Sequence, residues 1–476
     1  MPGLVWFRAD LRISDNAALV DAARTHTDAV VALFIICADQ WREHDWAPVR
    51  VSLLLRQLEV LSGELAELGI PLKILRCDRF DEVPNRLLGF ARRNGCESLY
   101  FNVEHEWNER RRDISVRSCF EADGRKVSSY GDQLLLPPEA VTTRSGTPFK
   151  VFTPFARRFS EVMGETGVPR PKPAPSVRFR MKLDPDPVPE RIKGFSDGGR
   201  SQAWSVGPKS ARRRLDKFLG SRVVDYATDR DRPDTDGTSG LSPYLTLGIL
   251  SPLQCLARAV KANQGVIRGG QEGLSVWINE LIWREFYRHV LIAFPDVSRH
   301  RPLQAWTEGV LWREDPEGLQ KWKDGKTGVP IVDAAMRQLS STGWMHNRLR
   351  MISASFLCKH LLIDWRLGEA HFMRHLVDGD LASNNGGWQW SASTGTDASP
   401  YFRVFQPVSQ SQRFDSSGDF IRSQMPELSN FDAKSIHLPH QYSSLEAQAA
   451  GYPLPMVDLK EGRRRAIEAF RIARER

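Results

Sequence analysis

Residues 381–390, LASNNGGWQW, set two amides, Asn384 and Asn385, beside two indoles, Trp388 and Trp390. Amides demand hydrogen-bond partners and make poor core residues, whereas indoles offer wide apolar faces. Side by side, they suit a pocket for a planar heterocycle. SVWINELIWREFYRH (275–289) repeats the theme. At helical spacing Trp277, Glu280 and Arg284 share a face, with Trp283 three residues beyond Glu280. A satisfied buried ion pair is the plainer alternative. In STGWMHNRLRM (341–351), Asn347, Arg350 and Met351 share a face, Trp344 precedes Asn347 by three, and Arg348 lies on a neighbouring edge. Asn and Arg suit an amide edge and a phosphate, and methionine is a soft filler against aromatic surfaces. GTSGLSPYLTLG (237–248) offers hydroxyls and backbone N–H groups to an anion through Thr238, Ser239 and Ser242, although taken alone it reads as an N-cap loop.

These signals together describe a helical domain that holds a large planar, phosphate-bearing cofactor and a second pocket of aromatic and amide groups. Stacking one base on an indole contributes ~1–3 kcal/mol. Extracting a base from duplex costs roughly a few kcal/mol, least when it is damaged. Two tryptophans such as Trp283 and Trp390 are about enough to hold a flipped lesion.

The elements that must carry these residues divide the chain. The first third alternates apolar runs at 4–8, 29–36, 72–75, 98–102 and 126–130 with helical periodicity at 48–68, 81–94 and 106–122. That order predicts a mostly parallel sheet with helices on both faces, which takes ligands at the carboxyl ends of its strands. Residues 131–200 are rich in Pro and Gly and read as a long surface connector, interrupted by a helix near 153–163. Helices dominate beyond: 208–219, 251–263, 273–293, 330–340, 344–362, 366–377 and 459–474, the last an exposed basic terminal helix. The expected domains are 1–130, 131–200 and 201–476.

Composition narrows the function classes. The net charge of +8 fits a polyanion partner, with a solvated basic surface as the bland alternative. Of fourteen tryptophans, ten lie after residue 200, which places the aromatic chemistry in the helical part. No apolar run reaches 18 residues, and the first residues lack a secretory signal. Six scattered cysteines without a C-x-x-C pair read as reduced thiols of a cytosolic protein. DGKT (324–327) fails as a phosphate loop because Gln320 stands where glycine is required, and Pro208 breaks GPKS. No G-x-G-x-x-G follows the first strand, Ala382 spoils a calcium loop, and no His/Cys cluster has zinc spacing.

The segments LVWFRADLRISDN, KVFTPFARRF, GTSGLSPYL, WINELIWREFY, GWMHNRLRM and DGDLASNNGGWQWSASTGTDASPYFRVFQP resemble, in order and nearly end to end, class I cyclobutane pyrimidine dimer photolyases of the photolyase/cryptochrome family. The resemblance implies a Rossmann-like α/β N-terminal domain with a five-stranded parallel sheet, and a large all-α FAD-binding domain. It implies a lyase: photoexcited reduced FAD gives an electron to a flipped-out dimer, the cyclobutane ring splits, and the electron returns. By position, the flavin would be held by Tyr226, Thr238, Ser239, Gly240, Leu241, Ser242, Trp277, Arg284, Arg350, Asp378, Gly379 and Asp380, with Asn384 beside its N5. Gly240 stands where relatives carry a basic residue. The lesion pocket would comprise Glu280, Trp283, Asn347, Met351 and Trp390, with Arg230, Arg348 and Arg403 as phosphate clamps. Trp388, Trp365 and Trp312 would form an electron chain to the surface. His44, Asn108, Glu109 and Arg299 match an antenna site for 5,10-methenyltetrahydrofolate, Arg299 standing where some relatives offer lysine.

The resemblance further implies DNA as partner, no membrane, no obligatory protein partner, a monomer, and a cytoplasmic location, nucleoid-associated in a bacterium. The rivals are a blue-light signalling cryptochrome, a DASH-type cryptochrome acting on single strands, and a flavoprotein that binds DNA nonspecifically. Asn384 and Trp390 favour repair. Asn347 and Met351, in place of a catalytic histidine pair, favour the cyclobutane lesion over the (6-4) lesion.

Overall fold

A computed structural model describes residues 1–26, 29–176, 183–397 and 400–475. Positions 177–182 of the expected connector, and 398–399 of the long motif after residue 378, lie outside the described residues. The chain divides into two compact units. One comprises Met1–Val224, Ser239–Pro295 and Val377–Asp380; the other comprises Asp225–Thr238, Asp296–Leu376 and Leu381–Arg476.

The first unit is built on five strands: β1 (Gly3–Phe7), β2 (Val30–Cys37), β3 (Leu72–Cys77), β4 (Ser98–Asn102) and β5 (Lys126–Tyr130). All pair in parallel in the order β3-β2-β1-β4-β5. β1, β2 and β4 are buried along their whole length, as continuous apolar runs require when helices cover both faces. The strand order reverses between β1 and β4, which opens a crevice beyond their carboxyl ends. The crossover helices run Pro48–Glu67, Val83–Arg93 and Trp107–Ala122. A fourth, Ala17–Thr25, escaped the periodicity reading because it is short; Asn16 caps it by accepting from the Leu19 N–H at 3.1 Å. The helix expected near 153–163 spans Phe152–Thr166. The long helix Glu272–Ala293 also belongs to this unit. Its Glu285 is fully buried and accepts from the backbone N–H groups of Leu135 and Leu136, which ties down the start of the proline-rich segment.

The second unit is helical around a core of Trp322, Ile331, Met336, Leu349, Phe356, Trp365, Phe372 and Trp388. Three expectations are corrected here. The stretch 344–362 is not one helix: an α-helix, Asn347–Ser355, passes into a π-helical turn, Phe356–Leu361, and stops at Leu362 in the left-handed region (φ 55°). The helix expected over 366–377 spans Trp365–Met373. The terminal helix Leu459–Glu475 is not simply exposed. Gly462, Ala466, Phe470 and Ala473 are buried, and Arg465 donates to the His360 carbonyl at 2.7 Å. Gly462 permits that approach, since a Cβ there would lie 2.6 Å from the same oxygen.

Candidate flavin, lesion and antenna sites

The opening segment is a helix, Leu381–Ala392, that the periodicity does not announce because its buried face is itself polar, with Asn385 and Gln389 among the buried residues. Helical spacing therefore sorts its side chains. Asn385, fully buried, donates to Glu369 Oε1 at 3.0 Å and accepts from Gln389 at 2.8 Å. Asn384, half-buried, donates its Nδ2–H to the Glu369 carbonyl at 3.1 Å. That bond engages the amide N–H and leaves Oδ1 to accept. Glu369 is itself fully buried and meets His300 Nδ1 at 2.8 Å. Trp388 is 2 % exposed, packs edge-on to Phe372 at 4.9 Å and to Trp322 at 6.0 Å, and has no acceptor for its indole N–H among the described residues. Gly368 makes room for it: a Cβ there would lie 2.1 Å from the Trp388 ring. Trp390 is half-buried, edge-on to Phe405 at 6.0 Å. Trp365 is buried in the same core as Trp388, and Trp312, half-buried, packs both against that core and against Phe470 at 5.8 Å.

In the Asn347–Ser355 helix, Asn347 is exposed and its amide reaches the Met351 sulfur at 3.9 Å, so these two form one surface. Arg350 donates to the Met345 carbonyl at 2.8 Å. Arg348 pairs with Asp231 at 2.8 Å and lies over the Phe414 ring at 4.4 Å, so a carboxylate already shares its charge. Arg230 faces the buried Tyr226 ring at 5.8 Å, Thr238 is half-buried, and Arg403 is exposed.

The first unit holds the remaining residues expected around a flavin. The helix after GTSGL, Ser242–Thr246, has Leu241 at its N-cap with no side-chain cap, which corrects the N-cap reading. Instead Ser242 Oγ donates to Asp378 at 2.6 Å, and Thr246 donates to the Asp378 carbonyl. Gly240 (φ 59°) has the Arg214 guanidinium packed against it, 2.3 Å from where a Cβ would be, and Arg214 donates to the Ser239 carbonyl. A cation is thus supplied beside the position that lacks one, from a residue the motif does not contain. Trp277 is buried against Phe218 at 5.3 Å. Arg284 donates to the Gln133 carbonyl at 3.0 Å; burial, and next the charge of Arg288, pull its pKa down to about 10. Arg288 bridges Gln133 Oε1 and Asp380, and Gly379 is buried between the two aspartates. Trp283 stacks face to face on Phe152 (3.6 Å, 7°), so one of its faces is covered. Glu280 is half-buried one turn earlier. Gln133, Phe152, Arg214, Arg288 and Trp322 were not singled out from the sequence. The first two lie in the proline-rich stretch, and Arg288, although four residues beyond Arg284, lies in a motif read only for its indoles, Glu280 and Arg284.

The residues expected at the antenna site, His44, Asn108 and Glu109, meet. His44 faces Glu109 at 3.3 Å through Nδ1 and Asn108 at 2.9 Å through Nε2. Burial lowers the imidazole pKa, but the hydrogen bond and charge of Glu109 outweigh it and the pKa ends raised. Arg299, on the other unit, is exposed and pairs with Asp296 at 3.1 Å. Beside His44 lies a small cavity at the carboxyl ends of the strands, lined by Trp6, Arg8, Trp41, Trp46, Arg50, Glu109 and Arg112 among others.

An α/β unit with a strand-end cavity and helices that display ordered amides, indoles and guanidinium groups are the features that comparison with known proteins places. Residues 3–176 match the family described as DNA photolyase, and residues 277–472 match the FAD binding domain of DNA photolyase. The chain is 43% identical to the deoxyribodipyrimidine photo-lyase of Salmonella typhimurium and 44% identical to that of Escherichia coli, covering 99% of each chain in both cases. Among solved structures it is similar to a class III photolyase from Agrobacterium tumefaciens (TM-score 0.87, 34% identity, 100% of this chain and 98% of that one). It is also similar to a Synechocystis cryptochrome (TM-score 0.84, 27% identity, 98% and 99%). The chain belongs to the DNA photolyase family. It is a flavin-dependent lyase that uses light to repair pyrimidine dimers in DNA. Among the described residues no helix is long and apolar enough to cross a membrane.

Proposed function

We propose that the chain is a class I enzyme specific for cyclobutane dimers and that its residues take the roles the resemblance assigns. The observation that carries this reading is the Leu381–Ala392 helix, where one face engages an amide and the next buries an indole without a proton acceptor among the described residues. Bound FAD supplies light absorption and one-electron transfer. The residues fit such a group: Ser242 and Asp378 offer a polar pair, Arg284 and Arg350 offer cations to a diphosphate, and Asn384 presents a carbonyl oxygen to a ring N–H. An indole that loses an electron becomes a strong acid. With no acceptor at its nitrogen among the described residues, Trp388 keeps its proton, and the hole passes on through Trp365 to the half-exposed Trp312. Glu280 hydrogen-bonds the pyrimidine edge, and Trp283 and Trp390 stack on the extruded bases, as the resemblance assigns. Asn347 and Met351 line the same lesion. Arg230, Arg348 and Arg403 contact phosphates. The division of work follows the expected domains: antenna in 1–130, connector in 131–200, flavin and DNA in 201–476. The protein acts as a monomer in the cytoplasm.

For the antenna we propose 5,10-methenyltetrahydrofolate at His44, Asn108 and Glu109, with Arg299 completing the set. The strand-end cavity favours a second reading, a planar aromatic anion. Trp41 and Trp46 stack in parallel at 4.9 Å, and Arg50 lies buried with its Nε–H unsatisfied. A Sulfolobus tokodaii photolyase with two FAD molecules, described as implying a novel light-harvesting cofactor, is similar to this chain (TM-score 0.82, 28% identity).

The test is illumination of the flavin-loaded protein with duplexes carrying one cyclobutane or one (6-4) lesion. Loss of the first alone is expected; repair of the (6-4) lesion, or of neither, overturns the assignment. Glu280→Ala lowers the quantum yield with FAD still bound. Chromophores released by acid identify the antenna by their absorption.

A further inference from the structure

Six cysteines scattered over the sequence give no pairing signal, yet the fold brings two of them together. Cys37 ends β2 and Cys77 ends β3, and they are Cα partners in the parallel register. Parallel partners point their side chains to the same face of the sheet, and neighbouring strands run about 4.8 Å apart. That separation lies inside the roughly 4.4–6.8 Å that a disulfide tolerates between Cα atoms. The strand ends are held in place just beyond the pair, where the Gln40 N–H donates to the Asp78 carbonyl at 3.1 Å. Both thiols are buried, and each is the neighbour that most affects the other's titration. Their interaction raises the Cys37 pKa and lowers that of Cys77. Cys77 lies on the edge strand, and Cys37 lines the strand-end cavity.

We propose that Cys37 and Cys77 are a redox-active dithiol, a modification site on the wall of the strand-end cavity that closes to a disulfide by exchange with a low-molecular-weight disulfide. Cys77, on the edge strand, attacks as thiolate and releases one thiolate of the reagent, leaving a mixed disulfide. Cys37 then loses its proton and attacks the Cys77 sulfur, releasing the second thiolate. Two protein thiols are oxidised and one small disulfide is reduced to two thiols. Intracellular disulfides, where they occur, are most often transient and redox-sensing, which agrees with a pair that is reduced at rest. The other four cysteines have no sulfur partner among the described residues. Burial pushes Cys96 up to about 11 and Cys255 up to about 12, so they stay protonated and slow.

The experiment treats the full-length, flavin-loaded protein with oxidised glutathione, quenches with acid and counts free thiols after unfolding. The expected result is loss of two of the six thiols, a linked peptide joining Cys37 to Cys77, and oxidation of this pair at least tenfold faster than of any other cysteine. Cys37→Ser is expected to halt at a glutathione adduct on Cys77, and Cys77→Ser to leave Cys37 unmodified. Retention of all six thiols in the wild-type protein, or a linked peptide joining other cysteines, overturns the proposal.

Discussion

Tryptophans of the two units live beside different neighbours. In the sheet unit, Arg8 and Arg112 lie 4.3 and 4.7 Å from the Trp6 ring, and Arg50 lies 3.7 Å from Trp46. In the helical unit, Trp388 and Trp322 pack against Phe372 and against each other. The guanidinium nearest Trp365, that of Arg366 at 5.1 Å, is engaged by Asp364 and Glu308. A cation within 5 Å opposes removal of an electron from a ring, because Coulomb energy at that distance is large in a poorly solvated interior. Arg8 and Arg112 are held by Asp113 and Glu104, so among these cations it is Arg50, with no ion-pair partner among the described residues, that opposes oxidation of its ring, Trp46, whereas the electron path proposed through Trp388 and Trp365 has no such cation beside it among the described residues. Neighbours assign the role; residue type does not.

That contrast can be broken at Trp388. Trp388→Phe is expected to slow photoreduction of oxidised flavin at least a hundredfold, about 2.7 kcal/mol in barrier, and to spare repair by enzyme reduced beforehand; flavin absorbance under blue light reads both. The matching change in the sheet unit, Trp46→Phe, leaves photoreduction unchanged. Gly368→Ala presses a methyl into the Trp388 ring and destabilises the fold by ~1–3 kcal/mol in urea unfolding, through overpacking.

Lys359 sharpens the comparison from the other side, as a cation buried among the helical unit's rings. Its Nζ has no hydrogen-bond partner among the described residues and lies 3.6 Å from the Phe470 ring centre, and burial lowers its pKa from 10.5 to about 7. A depressed lysine costs stability when the folded chain must hold the proton. Between about pH 7 and 10.5 the unfolded chain binds a proton that the folded chain does not, so stability rises with pH across that window. Lys359→Met is thus expected to raise stability by a few kcal/mol at pH 6 and by less at pH 9, read by parallel urea titrations. The smallest effect belongs to Arg348→Ala. Asp231 shares its charge, so the salt dependence of DNA binding is expected to flatten by less than one unit.

Much of the sheet unit was legible. β1, β2 and β4 are continuous apolar runs, so their sequence differs from everything around them, and crossover helices of eleven or more residues show their period. The nine-residue helix Ala17–Thr25 gave too few turns to be seen. The helix Leu381–Ala392 hid for a different reason: its buried face is itself polar, with Asn385 and Gln389 among the buried residues, so no contrast marks a period. In the same way the π turn at Phe356–Leu361 leaves no trace in a string that reads as helix throughout.

The sequence alone determined which chemistry was available: amides beside indoles, carboxylates and guanidinium groups at helical spacing, and phosphate-loop and zinc-cluster patterns excluded. Spacing is local, and local geometry follows from the backbone. Only the tertiary structure decided what each group faces. It turned Arg348 to Asp231, covered one face of Trp283 with Phe152, brought Arg214 to Gly240 and set Cys37 against Cys77. These partners are tens to hundreds of residues apart, and no short-range preference of the chain encodes contacts that arise only when distant segments share a core.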